Sequence, residues 1–258
     1  SKMLTTLIGE RHDLDTRPFA DPCGLIAPHA GYLYSGSTAA LGYRAIADRG
    51  RPDLVIVLGA NHTGFGDALS LDDHQSWRTP LGDVAVDQDV AARLQDGGFS
   101  VDRSAFAREH SMEVQLPFLQ HLWGTSFRIV PVCVRPAEAQ TLATAGEALA
   151  KAVETTPSTL IVASSDFTHY QPDETARQLD REALDPILSL DAERFLGLYA
   201  RKHLSICGAG AISVLIEAAS KLKMTEASLV DYSTSGDTTG DRAAVVGYAA
   251  VTFIGVER

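Results

Sequence analysis

Four segments of the chain place a reactive side chain directly after an apolar run or at the start of a helical pattern. His29 follows the run GLIAP, His62 follows LVIVLGAN, and Asp166 and His169 come after LIVASS. Cys207 lies just before a helical pattern that is entered through glycines. The carboxyl ends of the strands of an open α/β sheet are where its ligands bind. We therefore expect these five side chains to converge on one site.

The first three candidates suggest a metal site. Imidazole nitrogen is the most common transition-metal ligand, and the pair His29 and His62 would leave coordination positions open. Cys207 is the candidate third ligand, because a helix start favours a thiolate. Each histidine could instead be a structural hydrogen-bonding residue, and Cys207 a small buried one. We interpret Cys23 and Cys133 as buried residues of apolar strands.

The segment SSDFTH separates a carboxylate from an imidazole by three residues. Asp166 and His169 could face one cavity as a base and its partner, or could orient a metal ligand. Alternatively, Asp166 only caps a turn. The polar segment Glu109–Glu113 precedes a helical pattern, with Ser111 as a possible N-cap, and its role stays open. The remaining histidines lie in polar segments and are predicted to be exposed: His12, His74, His121 and His203.

Alternating strands and helices position these residues. After a polar lead-in over residues 1–22, the pattern predicts one α/β domain over residues 1–258, with a central, mainly parallel sheet flanked by helices. Predicted strands are 24–27, 54–59, 129–134, 160–163, 229–232 and 245–253, and 68–71 with 83–86 form a small antiparallel excursion. Predicted helices are 35–49, 87–96, 111–122, 137–153, 173–188, 192–199 and 207–222, with a glycine-rich turn at 235–240.

Composition restricts the class of protein. The chain has 258 residues, 45% of them hydrophobic, which is enough for a substantial core. Its net charge of −11 argues against nucleic-acid or anionic-membrane partners, since both need basic patches. The apolar runs are too short to span a bilayer, and three scattered cysteines fit a reducing cytoplasm.

Five motifs together resemble the Memo family, whose bacterial and archaeal members are called AmmeMemoRadiSam system protein B. They occur in the family's order over nearly the whole chain: PHAGYLYSG, LGANH, EHSMEVQLPFLQ, SSDFTHY and ICGAGAI. The resemblance implies a fold similar to the LigB-type class III extradiol dioxygenases. It places His29, His62 and Cys207 at the metal-ligand positions and Asp166 and His169 at the pocket pair. His169 corresponds to the catalytic base of those dioxygenases.

The resemblance also implies cofactors and partners. Iron as Fe(II) is the expected metal, with copper or zinc as alternatives. The expected partners are a small molecule or peptide in the pocket, and proteins of the AmmeMemoRadiSam system such as a radical SAM protein.

One departure from the dioxygenases concerns the third ligand. Those enzymes hold Fe(II) with two histidines and a carboxylate, whereas this chain has Cys207 at the third position. Two functions follow as hypotheses: a non-haem-iron redox or dioxygenase-like enzyme, or a non-catalytic metal-, ligand- or peptide-binding module with a vestigial pocket. The segment after Tyr232 matches no family motif.

Overall fold

The computed structural model describes residues 2–9 and 17–255 of the chain. Within these residues the strands, in chain order, are β1 (Cys23–Ala27), β2 (Leu54–Ala60), β3 (Leu69–Leu71), β4 (Ser76–Thr79), β5 (Gly82–Ala85), β6 (Ser100–Val101), β7 (Arg128–Val134), β8 (Thr159–Ser164), β9 (His169–Gln171), β10 (Glu226–Thr234) and β11 (Val245–Ile254). The helices are α1 (Lys2–Ile8), α2 (Tyr32–Ala47), α3 (Gln88–Asp96), α4 (Leu116–Trp123), α5 (Ala139–Val153), α6 (Asp173–Leu188), α7 (Ala192–Lys202), α8 (Ala209–Lys221) and α9 (Ser235–Thr239).

The main sheet has the strand order β10-β11-β1-β8-β2-β7-β3-β6, and β9 pairs with β11. The four central strands β1, β8, β2 and β7 run parallel, and antiparallel pairs lie on both sides of them. This architecture confirms the predicted α/β domain with its mainly parallel central sheet. Because β1, β8 and β2 are adjacent and parallel, the loops that follow them lie side by side.

Helices cover both faces of the sheet. One core contains Ile26, Ile56 and Leu58 and is closed mainly by α3, α5, α6, α7 and α8. The other contains Leu25 and Val57 and is closed by α1, α2 and α4. Every residue of β1, β2 and β8 is buried, which explains why these strands are continuous apolar runs rather than alternating patterns.

Several predicted elements differ from the structure. The predicted excursion is divided: β3 joins the main sheet antiparallel to β7, whereas β5 pairs with β4 in a separate hairpin. Helix α2 begins at Tyr32, three residues earlier than predicted, after the N-cap residue Gly31. The predicted turn at 235–240 contains α9, which is stabilised by a capping box between Thr234 and Asp237.

The predicted helix over 111–122 starts later than its apolar pattern. A 3₁₀ turn spans Glu113–Gln115, and α4 follows with Pro117 in its first turn, where a proline loses no helical hydrogen bond. The lead-in segment contains α1, whose Leu4 and Ile8 are buried against the core of α2 and α4. His12 lies outside the described residues. In the described part of the chain, no helix is both long and apolar enough to cross a membrane.

Candidate metal centre

Three strand-end loops bring polar side chains to one edge of the sheet. His29 lies two residues beyond the end of β1, His62 two residues beyond β2, and Asp166 two residues beyond β8. Since these strands are parallel neighbours, the equivalent offset places the three residues beside one another. Convergence at the carboxyl edge, expected from the sequence, is therefore found for these three residues.

A buried hydrogen-bond network fixes the tautomer of His29. Its Nδ1 lies 2.9 Å from Ser164 Oγ. The Ser164 hydroxyl donates to the carbonyl oxygen of Ser111 and accepts a hydrogen bond from Gln115 Nε2. Because the only Ser164 hydrogen is already used, the imidazole must donate from Nδ1. Its Nε2 therefore carries a lone pair, as a metal ligand requires.

Burial keeps the His29 imidazole neutral. Its side chain is almost completely buried, and burial lowers its pKa to about 4 although the nearby carboxylate of Asp166 acts in the opposite direction. Nε2 lies 3.3 Å from Cys207 Sγ. At neutral pH, His29 thus presents an unprotonated nitrogen to the cysteine sulfur.

Glu109 orients His62. Its carboxylate lies 2.9 Å from His62 Nδ1 and accepts the backbone N–H groups of His62, His110 and Ser111 at 2.7–2.9 Å. Burial opposes ionisation of Glu109, but the hydrogen bonds from His62 and Ser111 lower its pKa to about 2. The carboxylate can only accept, so His62 donates from Nδ1 and keeps Nε2 free. The same hydrogen bond raises the pKa of His62.

Cys207 completes the group from the other side of the edge. Asp166 donates its backbone N–H to Sγ at 3.2 Å. Burial, followed by the negative charge of Asp166, raises the pKa of the Cys207 thiol to about 12. Stabilisation of the thiolate by the helix start, expected from the sequence, is not found, because α8 begins only at Ala209 and the N–H of Gly208 donates to Ser165 Oγ. For Cys207 to be a thiolate at neutral pH, a bound cation must take the place of the thiol proton.

A glycine allows this close approach. A Cβ atom added to Gly208 would lie 2.5 Å from Ser165 Cβ and 2.6 Å from the Ser164 carbonyl oxygen. The residue after Cys207 can therefore only be glycine if the start of α8 is to pack against the end of β8.

The predicted pocket pair lies on the loop after β8 and at the start of β9. Asp166 is buried, and its Oδ1 accepts the N–H groups of His29 and Ala30 at 2.8 and 3.3 Å. His169 donates its backbone N–H to Ser205 Oγ at 2.8 Å. Its Nδ1 lies 2.7 Å from the Ser205 carbonyl oxygen, so Nδ1 must be the protonated nitrogen. The catalytic roles of Asp166 and His169 stay predictions.

The donor set fits a transition metal. One ligand atom each from His29, His62 and Cys207 lies within 4.8 Å of the others. Two imidazoles with Nε2 directed away from their anchoring groups, together with a soft sulfur, suit iron, copper or zinc better than a hard cation. Three protein ligands leave positions open for a further molecule.

Among the described residues, two further groups of side chains have potential ligand atoms within 4.8 Å of one another. One combines His62 with Glu109 and His110. His110 is about half exposed, and its ring stacks on that of His62 with centroids 4.9 Å apart. The other contains Asp72, whose carboxylate already accepts from His74 and from the Trp77 indole. The group with Cys207 is therefore the best candidate, and Glu109 is its orienting carboxylate.

Sequence reasoning did not assign the anchors of the two histidines. The sequence shows the segment containing Glu109 as dense in polar groups, but Glu113 is exposed and Ser111 caps no helix. Ser164 and Gln115 had no recognisable signal apart from being polar residues beside apolar runs.

Of the other histidines, His74 and His203 are exposed, as predicted, whereas His121 is half-buried and contacts the Gly9 carbonyl oxygen. Cys23 and Cys133 are buried, as predicted.

Comparisons with known proteins agree with the motif pattern. The family model described as Memo-like protein matches residues 1–252. A MEMO1 family protein of Methanopyrus kandleri is 44% identical over 238 residues, covering 90% of this chain and 84% of that protein. A MEMO1 family protein of Nitrosopumilus maritimus is 40% identical over 233 residues, covering 90% and 84%.

A solved structure supports the fold. The crystal structure of an uncharacterized protein from Escherichia coli K12 superposes with a TM-score of 0.64 and 13% identity, covering 90% of this chain and 99% of that one. At this identity the likeness concerns the fold alone. The match of the family model over nearly the whole chain and the identity of 40–44% to curated relatives lead to one conclusion: the chain belongs to the Memo family.

Proposed function

We propose that this protein is a metal-dependent redox enzyme of the dioxygenase-like type, with one non-haem iron held by His29, His62 and Cys207. The observation that carries the proposal is the convergence of two imidazoles and a thiol within 4.8 Å, with both imidazoles anchored through Nδ1. Copper and zinc fit the same donors.

The residues around the donors have separate tasks. Bound iron would supply electron-transfer chemistry and open coordination positions. Ser164 and Glu109 keep the two imidazoles in the tautomer with a free Nε2. His169, whose Nδ1–H is engaged by the Ser205 carbonyl, retains an Nε2 lone pair that can accept a proton from a substrate. Asp166 fixes the backbone of His29 and Ala30.

For the substrate and the partners, the proposal names only their classes. A small molecule or a peptide would bind beside the metal, and proteins of the AmmeMemoRadiSam system, including a radical SAM protein, would be its functional partners. The net charge of −11 disfavours nucleic acid as a partner.

A second candidate function is a non-catalytic module that binds a metal, a ligand or a peptide. The observation in its favour is that His169 stands outside the group of mutually close ligand atoms, with both its backbone N–H and Nδ1 committed to Ser205. Such bonding is also typical of a structural histidine.

The deciding experiment is anaerobic reconstitution with Fe(II), followed by metal analysis of the native protein and of Cys207→Ala. We expect about one iron per native chain and a loss of metal in the variant. Cys133→Ala is the matched control, since Cys133 is a buried cysteine of β7 outside the donor group, and it should retain the metal. Absence of metal from the native protein would refute the proposal.

A second step separates the enzyme from the module. Oxygen consumption is measured with a series of catechol-like compounds, for the iron-loaded native protein and for His169→Ala. Loss of turnover in His169→Ala with the iron retained supports the enzyme. Iron binding without turnover of any compound in the series, with partner binding unchanged in the variant, supports the module.

A further inference from the structure

Helix α6 contains a buried carboxylate that the proposed chemistry does not use. Asp180 has no exposed surface. Its Oδ1 accepts the backbone N–H of Thr168 at 3.0 Å and the Thr168 hydroxyl at 2.6 Å, and its Oδ2 accepts the Tyr232 hydroxyl at 2.7 Å. A buried carboxylate is costly unless it is well hydrogen-bonded. All three donors come from outside α6, so Asp180 connects the helix to two other parts of the fold.

The backbone of Thr168 is also fixed by β11. Gly247 donates its N–H to the Thr168 carbonyl oxygen at 2.8 Å and accepts the N–H of Phe167 at 2.9 Å. A Cβ atom on Gly247 would lie 1.9 Å from Asp180 Oδ2, so only glycine permits the carboxylate to reach this position. Thr168 therefore has its N–H, its carbonyl and its hydroxyl all engaged.

Thr168 lies between the two residues of the pocket pair. Directly after it, His169 donates hydrogen bonds to Ser205, from its backbone N–H to the hydroxyl oxygen and from Nδ1 to the carbonyl oxygen. The following residue, Tyr170, adopts a positive φ of 57°, a conformation that costs on the order of 1 kcal/mol or more for a residue other than glycine. The strained residue therefore lies within β9, directly after the positions that the contacts of Thr168 and His169 hold in place.

We propose that Asp180 is a positioning residue for His169: by holding Thr168 through its N–H and hydroxyl, it keeps the His169 imidazole on the Ser205 carbonyl with Nε2 unprotonated. The proposal rests on the proposed function only in assigning proton transfer to His169. The position and tautomer of the ring are properties of the metal-free protein and are measurable without substrate.

The test uses nitrogen-15-labelled histidine and long-range proton–nitrogen spectra of the metal-free protein, which distinguish protonated from unprotonated ring nitrogens. His169→Gln identifies the His169 signals by their disappearance. In the native protein we expect His169 to be the Nδ1–H tautomer. A ring released from the carbonyl returns towards the Nε2–H tautomer that free imidazole side chains prefer.

Two variants remove the contact by different routes. Asp180→Ala deletes the acceptor, and Thr168→Val deletes only the hydroxyl donor at almost unchanged shape. We expect both to shift the His169 signals towards Nε2–H. Thr168→Ser, which restores the hydroxyl, and Tyr232→Phe, which removes only the donor on the other oxygen, should both keep the native tautomer.

The His29 and His62 signals and zinc stoichiometry serve as folding controls, since their anchors are Ser164 and Glu109. If Asp180→Ala does not fold, the outcome for Thr168→Val decides. A native His169 tautomer in a folded Thr168→Val protein would overturn the proposal. The proposed function would fail independently, by absence of metal or turnover in the native protein.

Discussion

Acidification should destabilise the metal-free protein through His29. Burial lowers its pKa from 6.5 to about 4, so between these values the unfolded chain binds a proton at this imidazole and the folded chain does not. The contribution to stability is fully present above pH 6.5 and is lost as the pH falls through about 4. The fall of this pKa from 6.5 to about 4 corresponds to a loss of about 3 kcal/mol in the free energy of unfolding, at about 1.36 kcal/mol per pH unit.

The assay is urea denaturation in the presence of a chelator, at several pH values from about 7.5 to 4, for the native protein and His29→Asn. The difference between the two unfolding free energies should shrink by about 3 kcal/mol towards acidic pH. The raised pKa of His62 acts with the opposite sign, but it is present in both proteins and cancels. Glu109, with a pKa of about 2, titrates below this range in the folded state and also cancels. Parallel pH profiles of the two proteins would refute the reasoning.

Three further outcomes follow from contacts in the structure. Glu109→Gln removes the carboxylate that orients the second histidine and should weaken zinc binding by about 10- to 100-fold in a competition titration, whereas Glu113→Gln, at an exposed site of the same segment, should not change it. Zinc binding at neutral pH should release about one proton from the Cys207 thiol, measured with a pH indicator in weak buffer, and Cys207→Ala should release correspondingly less. Gly247→Ala should lower the melting temperature strongly, since its Cβ would overlap a buried carboxylate. The control Gly197→Ala, at a position of α7 with open space around it, should stabilise the fold by about 0.5–1 kcal/mol. Equal effects of the two substitutions would contradict the packing argument.

The central strands and the position of the site were predictable from the sequence. The runs ending before His29, His62 and Asp166 are apolar because both faces of their strands are buried, and such runs are typical of parallel strands. Once the strands are assigned, the common edge follows from α/β topology. The helical pattern likewise predicted both ends of α5 and α6 to within two residues. It also predicted the start of α7, which continues three residues further than expected.

The anchoring groups were not predictable in the same way. Glu109 meets His62 across 47 residues of sequence, and Ser164 meets His29 across 135. No periodicity encodes such pairs, because they depend on which loop ends lie together after folding. The pKa of the Cys207 thiol was not predictable either. The helix start predicts a low pKa, whereas burial and the Asp166 carboxylate raise it.

The candidate metal ligands differ in how their side chains are held. The imidazoles are fixed by side-chain hydrogen bonds to Ser164 and Glu109, whereas Cys207 is positioned by the turn that leads into α8 and receives only the Asp166 backbone N–H at its sulfur. A substitution at position 207 would therefore change the third candidate donor, and with it the preferred metal, while both imidazole anchors stay in place. Changes at the histidine anchors would instead weaken binding of every metal alike.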